Sequence, residues 1–288
     1  MSHTDQQDSG SDFLPDTGIE IINHSIERGR YRAVLFDFDG TLSLIREGWQ
    51  AVMIPMMVDI LAATPQTEPR DQLAVVVEDF VGRLTGKQTI YQMMELADQV
   101  SKRGGSPMQP LEYKRQYHDL LLERIAHRRE GLRSGQIAAV DMLVPGSLEL
   151  LKALQARGLE LYCASGTDEI YMREEAGLLG LQEFFGDHLY GALDDYHRNS
   201  KADVIRWILD EHKLRGAELL SFGDGYVEIE NTKQAGGTAV GVATDEARRQ
   251  GVDAWKRKRL IGVGADIIIP DFRQWQSLLA YLFSEAAA

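Results

Sequence analysis

Asp37 and Asp39 stand two positions apart in the run Asp37-Phe38-Asp39-Gly40-Thr41. Much further along come Ser165-Gly166, Lys201, and Gly223-Asp224-Gly225 with Glu228 shortly after it. Three carboxylates, a hydroxyl, an ammonium and exposed backbone N–H groups are a working set for a divalent cation and a phosphate. Two like charges about 4 Å apart repel by about 4 kcal/mol at an effective dielectric of 20. A carboxylate cluster that stays ionised therefore needs a cation among its members, and hard oxygen ligands beside phosphate point to magnesium.

These residues need elements that bring them together. Residues 33–36 (AVLF) are apolar throughout and stop at Asp37, as a strand buried on both faces does. Runs of the same form are LELYCA (159–164) ending at Ser165-Gly166, ELLSF (218–222) ending at Gly223-Asp224-Gly225, TAVGVA (238–243) and DIIIP (266–270). Helical patterns separate them: Pro145-Gly146-Ser147 opens LELLKALQARG with Gly158 as its stop, and Ser200 is placed to cap KADVIRWILDEHK. Strands alternating with helices predict βαβ units and a parallel sheet, whose ligands bind beyond the carboxyl ends of the strands. Asp37, Asp39, Ser165 and Asp224 fall at or just past such ends, and Lys201 at a helix start facing the same edge. Residues 45–140 show only helical periodicity, with apolar stripes through Met53, Met56 and Met57, through Leu73, Val77 and Phe80, through Ile90, Met93 and Val100, and through Tyr117, Leu121 and Ile125. The expected fold is α/β, a Rossmann-like parallel sheet core (17–44 and 141–288) with an inserted α-helical cap (45–140), behind a disordered tail at 1–16.

DFDGT at 37–41, Ser165, Lys201 and GDGYVE at 223–228 resemble, in order and spacing, the four motifs of the haloacid dehalogenase superfamily, and the helical insertion resembles that of its phosphatases with a first-position cap. The resemblance implies that Asp37 is the nucleophile that takes up the phosphoryl group. Asp39 would act as acid and then base. Asp37 and Asp224, with the Asp39 backbone carbonyl, would hold Mg²⁺, and Ser165, Gly166, Lys201 and the backbone after Asp37 at Gly40 and Thr41 would bind the phosphoryl oxygens. Glu228 stands where the family more often has Asp, and would reach the metal through water or orient Lys201. Arg46 and Lys87 are candidates for the leaving group, with ordinary surface charge as the competing reading. The implied activity is Mg-dependent hydrolysis of a small phosphomonoester, a sugar phosphate or a phosphoglycolate-like compound. A phosphomutase keeps the same motifs, and a non-catalytic phosphate-binding module keeps the same fold. Asp39 argues against dehalogenation, since a halide leaves without a proton.

Composition narrows the partners. Lys and Arg number 31 against 44 Asp and Glu, a net charge of −13, which disfavours nucleic acid and anionic membrane. Hydrophobic residues at 44% suffice for a core, and the single Cys163 excludes a disulfide framework or a multi-cysteine metal site. The polar, acidic first 16 residues do not read as a signal peptide, and the most apolar stretch, 51–63, is too short to span a bilayer. These features predict a cytoplasmic protein, and the resemblance implies a small phosphorylated metabolite as its partner. Gly86-Lys87-Gln88-Thr89 has the wrong residues for a nucleotide phosphate loop. The basic run Lys256-Arg257-Lys258-Arg259 reads as a solvated segment, too short for a nucleic-acid face.

Overall fold

In the computed structural model, which describes residues 12–195 and 200–284, one eight-stranded sheet runs through the molecule. Its strands are β1 (Asp12–Phe13), β2 (Glu20–Ile21), β3 (Ala33–Phe36), β4 (Glu160–Asp168), β5 (Leu189–Ala192), β6 (Leu219–Gly223), β7 (Thr238–Val242) and β8 (Ile267–Ile269). The order across the sheet is β1-β2-β8-β7-β6-β3-β4-β5, with β3 to β8 parallel and β1 and β2 antiparallel at one edge. The chain leaves β3 for β4 on one side and later returns to β6 on the other. The strand order therefore reverses at β3, the point where open α/β sheets bind ligands.

Helices α1 (Gln50–Ala62), α2 (Arg70–Leu84), α3 (Thr89–Lys102) and α4 (Pro110–Ser134) make up the insertion after β3, with no strand among them. The rest follow in α5 (Ser147–Ala156), α6 (Glu169–Leu178), α7 (Gln182–Phe185), α8 (Lys201–Glu211), α9 (Tyr226–Gln234), α10 (Ala254–Gly262) and α11 (Trp275–Leu282). The two chain segments that join the helical insertion to the sheet are tied to each other: Leu44 N–H donates to Met142 O and Val144 N–H to Leu42 O, at 2.8 and 2.9 Å.

Period-two burial explains β3. Ala33 and Leu35 pack on one face with Val204, Ile205 and Ile208 of α8, while Val34 and Phe36 join the main core on the other. Phe36 stacks on Phe222 of β6 with ring centroids 4.9 Å apart. Ser200 caps α8 as expected, its hydroxyl accepting from Asp203 N–H.

Three expectations are corrected. Of the tail predicted at 1–16, residues 1–11 lie outside the described residues, but Asp12 and Phe13 are not tail: they pair with Ile21 and Glu20 and extend the sheet edge. The strand expected to end at Ala164 continues to Asp168, with a register shift between 164 and 168, so Ser165 lies within the strand and the next helix starts only after Asp168. The run at 256–259 is not a solvated segment, because helix α10 turns all but Lys258 inward onto partners.

Candidate active site

Asp37, first residue past β3, is 6% exposed. One carboxylate oxygen, Oδ1, accepts from Phe38 N–H at 2.8 Å, and the other, Oδ2, lies 2.9 Å from Lys201 Nζ. Lys201, the first residue of α8, is equally buried and donates to Glu228 Oε2 at 2.7 Å. Glu228 Oε1 accepts from Gly225 N–H at 2.6 Å, so both oxygens of this acid are engaged and its observed part is to orient Lys201. Burial pushes Asp37 well above the ordinary carboxylate range, opposed by the Lys201 charge. Burial also works against the charge of Lys201, but Asp37 and Glu228 outweigh it and hold the ammonium above its usual value.

Asp39 accepts at Oδ2 from the hydroxyls of Ser165 (3.3 Å) and Thr167 (2.8 Å), while its buried Oδ1 has no hydrogen-bond partner. Ser165 Oγ in turn accepts from Thr167 N–H at 3.0 Å. A buried carboxylate oxygen left unpaired is costly, and such an atom in a cavity awaits a donor or a cation. Thr167 was not anticipated. It joins the site because the strand runs on through it, and residues two apart on one strand share a face.

Gly40 permits the next contact. Its φ is +74°, and a Cβ there would stand 2.3 Å from Asp224 Oδ2, so the turn can only be tight against that acid without a side chain. Thr41 exchanges two hydrogen bonds with Asp224, its hydroxyl donating to Oδ1 (3.2 Å) and accepting from the backbone N–H (3.0 Å). The Thr41 side chain is thus taken up in locating Asp224. The other oxygen of Asp224 meets Lys256 Nζ at 2.8 Å, and Lys256 also reaches Glu246 Oε1 at 2.6 Å.

Arg46 is not surface charge. It is 5% exposed and forms a two-pronged pair with the fully buried Glu175 (3.0 and 2.9 Å), 3.9 Å from Asp39 Oδ1. Three of the acids that face the cavity are therefore each backed by a largely buried cation anchored on a glutamate: Asp37 by Lys201 and Glu228, Asp224 by Lys256 and Glu246, Asp39 by Arg46 and Glu175. Sequence reading could not supply Glu175, Glu246 or Lys256, because each comes from an element whose phase only the folded chain sets.

One cavity collects these groups. Asp37, Asp39, Gly40, Ser165, Gly166, Lys201 and Asp224 form its floor, and Trp49, Met53, Lys87, Gln92 and Tyr117 of the helical insertion form its roof. Lys87 is exposed at the rim, its ammonium 5.7 Å from the Tyr91 ring centroid. Residues 85–88 are the α2–α3 connection, which packs its Gly86 and Lys87 backbone on Gly225 in the loop after β6 and on Gly166 near the end of β4. Carboxylate oxygens of Asp37, Asp224 and Glu228 come within 4.8 Å of one another, a hard-oxygen set that fits a divalent cation, with the unpartnered Asp39 Oδ1 nearby. No helix among the described residues is long and apolar enough to cross a membrane.

A curated 5'-nucleotidase of Pseudomonas aeruginosa is 30% identical over 120 residues, 42% of this chain and 53% of that protein, so the match spans about half the length of the relative. A predicted phosphoglycolate phosphatase from Haemophilus somnus superposes with a TM-score of 0.58 at 17% identity, covering 86% of this chain and 98% of the other. A β-phosphoglucomutase from Clostridium difficile gives 0.60 at 14% identity, covering 88% and 98%. At such identities the likeness is one of fold, the α/β fold shared by phosphatases and phosphomutases. The haloacid dehalogenase-like hydrolase family model matches residues 31–236, from the strand before Asp37 to the helix carrying Glu228, and the chain belongs to that family.

Proposed function

We propose that this protein is a magnesium-dependent phosphatase of small, water-soluble phosphomonoesters in the cytoplasm, working through an aspartyl-phosphate. In this reading residues 17–44 and 141–288 are the catalytic core and 45–140 the cap that closes over the substrate and excludes water. What supports it is the convergence of Asp37, Asp39, Ser165, Lys201 and Asp224 on one cavity, at the strand-order reversal, from four separate stretches of chain.

A carboxylate oxygen of Asp37 attacks phosphorus and the bond to the leaving oxygen breaks, while Asp39 gives that oxygen its proton. Asp39 then takes a proton from water, whose oxygen attacks the same phosphorus and releases inorganic phosphate and free Asp37. Lys201 keeps Asp37 ionised for attack and, with the Ser165 hydroxyl and the backbone at Gly166, Gly40 and Thr41, offsets charge on the phosphoryl oxygens. A magnesium ion held by Asp37 and Asp224, with the Asp39 carbonyl and Glu228 near, would supply further neutralisation of that charge. Arg46 and Lys87 are the cations nearest the leaving group, Arg46 already tied to Glu175 and Lys87 free to meet it at the rim.

The test is phosphate release from a panel of sugar phosphates, phosphoglycolate and nucleoside 5'-monophosphates, with and without Mg²⁺. Release that needs Mg²⁺ and vanishes in Asp37→Asn, with the fold intact by circular dichroism, is the expected result. Metal-independent hydrolysis, or turnover retained in Asp37→Asn, would refute it. The likeness to a β-phosphoglucomutase keeps a mutase as the second reading, recognised by passage of label from substrate into a bisphosphate in place of free phosphate.

A further inference from the structure

The basic run at 256–259 is absorbed by none of the family's motifs, yet its first member touches the site. Lys256 Nζ lies 2.8 Å from Asp224 Oδ2 and 2.6 Å from Glu246 Oε1, and Glu246 itself borders the cavity. The lysine is fixed at both ends. Its backbone N–H is the one that Asp253 accepts as the cap of α10 (2.9 Å), so the start of the helix sets where its side chain emerges. Thr41 meets one oxygen of Asp224 and Lys256 the other, which leaves the carboxylate no freedom to rotate.

We propose that Lys256, held by Glu246, is a positioning residue for Asp224 that sets how tightly the site binds a divalent cation. Three carboxylates, Asp37, Asp224 and Glu228, carry formal charge −3, reduced to −2 by Lys201. Lys256 alone would reduce it to −1 and weaken cation binding. Glu246 cancels that loss, so the pair orients Asp224 while leaving the charge at −2. Removing either member unbalances the site in opposite directions: without Glu246 an uncompensated ammonium repels the cation, and without Lys256 two carboxylates are released to attract it. A residue that merely propped up the fold would shift cation binding the same way whichever member was lost.

This rests on the metal-dependent reading above, and the experiment separates the two. Mn²⁺ binding to the full chain is followed by electron paramagnetic resonance at low ionic strength for the unaltered protein, Lys256→Met, Glu246→Gln and, as a background, Lys258→Met, whose parent side chain is exposed on the same helix. The expectation is binding tightened by about three- to tenfold in Lys256→Met and weakened by a like factor in Glu246→Gln. Turnover at saturating Mg²⁺ should fall at least about tenfold in Lys256→Met, through kcat more than KM, because Asp224 is no longer held. Should Lys256→Met fail to fold, the near-isosteric Glu246→Gln still decides the matter. Equal Mn²⁺ affinity in the unaltered protein and Glu246→Gln, or a shift of the same sign in both variants, overturns the inference and leaves the metal site standing. No Mn²⁺ binding by the unaltered protein overturns both.

Discussion

At the scale of single residues, what distinguishes this site is how completely each acid is held from behind. Asp39 shows it best: two hydroxyls, from Ser165 and Thr167, converge on one oxygen and leave the other bare. In the proposed reaction Asp39 gives and retakes a proton and must point at the departing oxygen, which makes the 2.8 Å bond from Thr167 a steering contact. Thr167→Val keeps the shape and removes the donor. Hydrogen bonds to charged groups contribute roughly 1.5–3 kcal/mol, so turnover of an alkyl phosphate should drop about tenfold or more. An aryl phosphate whose leaving group departs unprotonated should be affected much less. Equal losses on both substrates in steady-state assays would mean that Thr167 supports the strand and not the acid. The place of the Asp37-Phe38-Asp39-Gly40-Thr41 run at the cavity was legible in the sequence because it is contiguous and directly follows one buried strand. Thr167 was hidden because a run of hydroxyl and glycine residues reads as the end of a strand, whereas hydrogen bonding to Asp39 and to β5 keeps it extended to Asp168.

Between elements, the decisive contact is the α2–α3 connection against the last residues of β4. A Cβ on Gly166 would stand 2.8 Å from Lys87 O and 3.2 Å from its carbonyl carbon, so the two backbones touch only because residue 166 has no side chain. Arg259 of α10 holds the same connection from the other side, donating to Arg83 O and Thr85 O at 3.1 and 3.2 Å while its guanidinium lies over the Tyr226 ring. The four helices of the insertion were readable from their apolar stripes. The way their second connection seats on the sheet loops was not, since it depends on backbone proximity that leaves no periodicity. Gly166→Ala should therefore act on closure more than on stability. Overpacking costs about 1–3 kcal/mol where the contact must stay shut, and opening the connection relieves it. We expect KM for the phosphoester to rise about tenfold with the thermal midpoint nearly unchanged. A lowered midpoint with KM intact would place the strain inside the sheet core instead.

Across the whole molecule, the insertion and the sheet are joined by a largely buried charge cluster between α4 and the end of β4. Lys114 and His118 of α4 both face Asp168 at the start of α6, at 2.5 and 3.4 Å, and His118 also packs edge-on to Tyr171. The regular part of the architecture, a central strand flanked by parallel neighbours, follows from runs of apolar residues that any sheet of this kind requires. The cluster does not, because Lys114 and His118 fall among many charged residues along α4 and only the placement of α6 marks these two as inward. Burial, with Arg46 and Lys114 close by, pushes His118 down to about 3, so the folded protein holds it neutral while the unfolded chain takes up a proton near 6.5. Between those two values the unfolded state binds more protons. Stability contributed by neutral His118 is full above about pH 6.5 and declines as pH falls, by roughly 1.4 kcal/mol per unit until about pH 3. Buried acids raised by desolvation, such as Glu175 and Asp168, titrate in the opposite sense over part of this range, so the histidine is isolated by difference. His118→Gln, which cannot protonate, should be the less stable protein at pH 8 and lose less on acidification than the unaltered chain. Urea melts at half-unit steps from pH 8 to pH 4.5 would read this as two curves converging toward low pH. Curves that instead diverge on acidification would mean that His118 is charged in the folded state and paired with Asp168, and parallel curves that it titrates alike folded and unfolded; either outcome removes the neutral ring from the junction.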